Sequence, residues 1–105
     1  MEWKNIKFEG ISNIEKCVGE FNITETLKTP YGKFKIKVYE RQSGRYVGYT
    51  NLLFKNEDGS VAPGIGYGKT VGQAANATIE YFLRMIEEKE VLSEEDFKRS
   101  DYFEF

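Results

Sequence analysis

The chain has 105 residues, 40% apolar and 30% charged, with eight Phe, seven Tyr and one Trp, values that suit one globular domain, residues 1–105, with an aromatic core. A single cysteine and no histidine exclude a protein zinc site and any Ser-His or Cys-His nucleophile pair. The net charge is −2, no acidic cluster has EF-hand spacing, and no apolar run approaches the ~20 residues of a membrane span.

Trp3, Ile6 and Phe8 suit a short strand ending at Gly10. Ile11, Ile14, Val18 and Phe21 then recur at roughly helical spacing after Ser12, which predicts a short helix over 12–19 with Cys17 as a packed core thiol. Phe21, Ile23 and Leu27 mark an extra strand, and Thr29-Pro30-Tyr31-Gly32 a turn. Lys33 to Glu40 alternates strictly, with Phe34, Ile36 and Val38 on one face and Lys33, Lys35, Lys37 and Tyr39 on the other. Gln42-Ser43-Gly44 turns the chain into a strand from Arg45 to Phe54. Asn56-Glu57-Asp58-Gly59 turns it again into a last strand, Ser60 to Tyr67, where Pro63 marks an edge or a bulge.

Thr70 and Gln73 form a capping box opening a helix that runs to about Lys89 and buries Val71, Ala75, Thr78, Ile79, Phe82 and Ile86. Ser93-Glu94-Glu95-Asp96 has the form of a cap and first turn of a brief second helix. The whole is an α+β domain, an antiparallel sheet of three or four strands packed by one long helix. The N-terminus, Met1-Glu2-Trp3-Lys4, leads into no hydrophobic signal core, and with one cysteine this predicts a cytoplasmic location.

Gly64-Ile65-Gly66-Tyr67-Gly68-Lys69-Thr70 nearly spells a phosphate-binding loop, but Pro63 stands where that loop needs its first glycine, and proline offers no N–H. The same stretch, with Ala74, Asn76, Ala77 and Leu83, resembles the last strand and second helix of the double-stranded-RNA-binding domain family. The resemblance covers Lys33 to Leu83 and implies an α-β-β-β-α layout. It does not extend to the family's grip on duplex RNA, because the three phosphate-binding lysines are replaced by Val71, Gly72 and Ala75. Arg45-Tyr46-Val47-Gly48-Tyr49 with Gly68-Lys69-Thr70, Ala74 and Ala77 is similar, more weakly, to the HicB antitoxins.

No catalytic residue, metal ligand or cofactor is predicted, and the chain reads as a non-enzymatic binding module. Basic residues dominate from Lys28 to Arg45 and acids from Glu87 to Glu104, so two kinds of partner follow. Nucleic acid would use Lys33, Lys35, Lys37, Tyr39, Arg41, Arg45 and Lys69, the lysine comb following phosphates and Tyr39 stacking on a base. A protein partner would use Glu94, Glu95, Asp96, Tyr102 and Phe103. The short length and lopsided charge suit an accessory protein of a phage or mobile element.

Overall fold

The computed structural model describes residues 2–88 and 93–100. Its elements are β1 (Glu15–Thr24), β2 (Lys33–Arg41), β3 (Tyr46–Lys55), β4 (Val61–Gly68), α1 (Val71–Glu87) and a short β5 (Phe97–Arg99), with single turns of 3-10 helix at Trp3–Asn5 and Glu94–Asp96. The sheet runs β1-β2-β3-β4, all neighbours antiparallel, and β5 pairs with β3. The sheet and the one long helix are the expected α+β architecture. No helix among the described residues is long and apolar enough to cross a membrane.

The helix lies on one side of the sheet. Phe34, Ile36, Leu52, Phe54, Phe82, Ile86 and Phe97 form the core, with Phe82 tilted against Phe34 at 5.1 Å between ring centroids. The strict alternation of β2 holds, Phe34, Ile36 and Val38 being buried. On the helix the buried stripe is Ala74, Thr78, Phe82 and Ile86. Ala74 therefore takes the place expected of Ala75, which is only half-buried and packs at the margin of the core.

The glycines of β4 explain how the helix sits so close. Gly64, Gly66 and Gly68 all face it: a Cβ on Gly66 would collide with the backbone of Ala77 and Thr78, and one on Gly68 with Gln73 and Ala74. The Gly-x-Gly-x-Gly run is thus a groove for α1. Thr70 caps the helix by accepting the Gln73 N–H at 3.1 Å. The Gln73 side chain returns to the Lys69 N–H at 3.0 Å, one residue before the cap.

Several expectations are corrected. Residues 15–19, expected within a helix, open β1, which extends back from the strand expected at Phe21–Leu27. A register shift between Cys17 and Gly19 adds one residue to β1. That bulge, at Val18, breaks the two-residue period of the strand, so the three-residue interval from Val18 to Phe21 imitates a helical one. Cys17 is exposed, opposite Tyr39, and not a core thiol. Trp3 belongs to a 3-10 turn and not a strand, and Phe8 is exposed. The turn at Glu94–Asp96 is 3-10 and leads directly into β5, which pattern reading did not anticipate. Pro63 sits on β4, at the end of the strand path and beside a register shift between Tyr49 and Leu53, as its position suggested.

Candidate nucleic-acid interface

Because α1 covers one side of the sheet, the outward side chains of β1 to β4 form a second face, open in that no helix among the described residues packs on it. Paired residues in antiparallel strands share a face, so the register gives its rows. Cys17, Tyr39, Val47 and Tyr67 form one row, and Glu20, Lys37, Tyr49 and Ile65 the next. Glu15 and Arg41 lie beyond the first row, Asn22 and Lys35 beyond the second. Leu53, Pro63, Lys55 and Val61 continue the face along β3 and β4.

Three tyrosines therefore stand on three adjacent strands. Tyr39 and Tyr49 meet edge to face with centroids 5.9 Å apart, and burial pushes the Tyr39 phenol above its usual value. Tyr67 is 58% exposed, and the Arg41 guanidinium lies 5.4 Å from its ring centroid. A shallow depression of about 540 Å³ runs between Tyr39, Tyr49, Leu53 and Pro63.

The face is the basic side of an acidic chain. Lys33, Lys35, Lys37, Arg41, Lys55 and Lys98 stand on it against Glu15 and Glu20, whereas the whole chain carries −2. Both carboxylates are engaged there. Glu20 lies 3.5 Å from the Lys35 ammonium and 3.7 Å from that of Lys37. Glu15 accepts from Arg41 Nε at 2.9 Å, a hydrogen bond that holds the guanidinium above its usual pKa.

The structure divides the predicted basic residues into two groups. Lys33 and Arg41 are eight residues apart on one strand, roughly 26 Å at about 3.3 Å per residue. Arg45 and Lys69 flank the Tyr46–Gly68 pair at the Arg41 end, and both are exposed. The tyrosines occupy the middle. Tyr49 and Tyr67 were not among the sequence candidates, although β4 offered the signal: with its glycines turned toward the helix, Ile65 and Tyr67 must face outward.

The acidic candidates are placed apart from this face. Glu94 and Glu95 are exposed on their 3-10 turn. Asp96 is buried and accepts from the Ser93 N–H at 2.8 Å, closing that turn's capping box. Tyr102 and Phe103 lie outside the described residues. No group of His, Cys, Asp or Glu among the described residues is arranged to hold a metal ion. The chain matches no known protein family, and comparison with curated proteins and with solved structures gives no match either.

Proposed function

We propose that the protein is a non-catalytic module that binds single-stranded nucleic acid on the open face of its sheet. The observation that carries this reading is the trio Tyr39, Tyr49 and Tyr67 across adjacent strands, flanked by cations, on a basic face of an acidic chain. Unpaired bases expose π-faces that tyrosines stack on regardless of sequence, and flanking lysines and arginines track the phosphates. A duplex hides those faces, so an aromatic sheet selects single strands. A cytoplasmic location goes with this reading.

The double-stranded-RNA-binding-domain plan remains a proposal about ancestry. A three-strand meander entering an alanine-faced helix through Gly64, Gly66 and Gly68 supports it, and a strand at residues 15–19, where that fold places its first helix, counts against it. The alternative, docking of a protein partner through the acidic C-terminal segment, rests on exposed Glu94 and Glu95.

Fluorescence anisotropy with a labelled decanucleotide tests the proposal. Tyr49→Ala should weaken binding about 5- to 100-fold, the usual range for losing one stacking platform, and leave the salt dependence unchanged. Binding that the substitution does not touch would remove the tyrosines from the account.

A further inference from the structure

β2 and β3 are paired only from Ile36 opposite Thr50 to Glu40 opposite Tyr46. Beyond Ile36 they diverge, and β5 takes the vacated edge of β3, with Leu52 opposite Arg99 and Phe54 opposite Phe97. The fork between β2 and β5 is a cleft of about 390 Å³, large enough for a nucleoside, and Phe34 and Leu52 give it apolar walls. Lys33, Lys35 and Arg99 line it together with Asn22, Asn51 and Tyr31.

Its electrostatics are one-sided. No carboxylate among the described residues lines the cleft. Lys35 has Glu20 at 3.5 Å, outside the lining, but Lys33 and Arg99 have no ion-pair partner among the described residues. Like charges gathered at one place repel one another, and an anion relieves that cost. The walls are also fixed in place. Asn51 accepts the Lys35 N–H on its side-chain oxygen at 2.8 Å and the Ser100 N–H on its carbonyl at 2.7 Å, tying β2 and the residue after β5 to the same point of β3. Arg99 packs its guanidinium 4.9 Å from the Tyr31 ring centroid.

We infer that this fork binds a nucleoside monophosphate, with the phosphate held by Lys33 and Arg99 and the nucleoside set among Tyr31, Asn22 and Asn51. The amides supply both donors and acceptors for a base edge, and the tyrosine supplies a flat apolar surface. The pocket stands on its own lining. Its role as an end-stop for a strand lying along Lys33, Lys35 and Lys37 rests on the function proposed above.

Isothermal titration of the full chain with AMP, UMP, adenosine and inorganic phosphate tests the pocket. Saturable nucleotide binding is expected, at least tenfold weaker for adenosine, and at least tenfold weaker in Lys33→Ala and in Arg99→Ala, with Tyr81→Ala, on the exposed side of α1, unchanged. Lys33 is exposed, so its variant keeps the test valid should Arg99→Ala fail to fold. No saturable binding of either nucleotide at millimolar concentration, or binding unmoved by both substitutions, overturns the inference. A 5′-phosphorylated decanucleotide that binds more tightly than its 5′-hydroxyl twin assigns the pocket to strand ends, and equal affinity with AMP binding intact assigns it to free nucleotide. AMP binding without any oligonucleotide binding would sink the strand reading and leave the pocket standing.

Discussion

Arg41 and Tyr67 meet across the open side of the sheet, guanidinium 5.4 Å from ring centroid, although β3 separates their strands. Val47, opposite both Tyr39 and Tyr67 in register, is fully buried on that side of the sheet. Glu15 anchors the same guanidinium from β1 at 2.9 Å. One arginine thus joins β1, β2 and β4 and covers the most exposed tyrosine of the face. A base stacking on Tyr67 would exchange places with Arg41 and leave its charge available to the adjoining phosphate.

Glu20 restrains the basic face, being shared between Lys35 and Lys37. Glu20→Gln should therefore strengthen single-strand binding by about three- to tenfold at low salt and steepen its salt dependence, because it removes a negative charge that opposes both lysines. Anisotropy titrations over a salt series measure both quantities. A variant with unchanged affinity and slope would place the bound strand elsewhere.

The β4 groove makes a paired prediction. Gly66→Ala drives a methyl into the backbone of Ala77 and Thr78 and should destabilise by about 3 kcal/mol or more, at the upper end for overpacking. Gly72→Ala meets nothing within 4 Å, inside the first turn of α1, and should stabilise by about 0.4–1 kcal/mol. Urea denaturation midpoints decide between equal and opposite effects.

Thr50 repairs the ladder where β3 and β4 lose register. Its hydroxyl accepts the Gly64 N–H at 2.8 Å and donates to the Leu52 carbonyl at 2.7 Å, entirely buried. Thr50→Val keeps the volume and strands that N–H, for an expected cost of about 1–3 kcal/mol. Faster amide exchange at Gly64 should accompany the loss, and an unchanged exchange rate would mean that the N–H has found another acceptor.

The loop between β1 and β2 is built on the Glu25 carboxylate, which accepts from the amides of Lys28 at 2.7 Å, Thr29 at 2.9 Å and Leu27 at 3.3 Å. Burial pushes this carboxyl up, and the hydrogen bonds from Thr29, Lys28 and Leu27 outweigh it, so its pKa falls below 4.5. A carboxylate with a lowered folded-state pKa stabilises fully above its unfolded value and loses that contribution as pH falls through the folded one. Glu25→Gln should cost less than about 1 kcal/mol at neutral pH, given solvent screening. The difference should close as the pH drops below 4.5, and denaturation midpoints from pH 7 to pH 3 follow it. A gap that widens in acid would contradict this assignment.

Elements set by local chemistry were legible. The strict alternation of β2, the turn at Asn56–Gly59, and the Thr70–Gln73 cap each depend on a few neighbouring residues, and each stands where expected. β1 was illegible at its start because a bulge breaks the two-residue period that identifies a strand. β5 has three residues, and its existence depends on the space left where β2 diverges from β3, which no local pattern encodes. The candidate site was half legible: Lys33, Lys35, Lys37 and Tyr39 share one strand, whereas Tyr49 and Tyr67 join them only through inter-strand register. Glu15 and Glu20, which temper the basic face, were hidden in a stretch expected to be partly helical.

An NMR titration of the full chain with a single-stranded decanucleotide at low salt tests the proposed interface most directly. The account predicts shifts concentrated at Tyr39, Arg41, Val47, Tyr49, Ile65 and Tyr67, which fade as salt is added and are much smaller with the matching duplex. Shifts confined to α1 or the Glu94–Asp96 turn, or none at all at low salt, would contradict it.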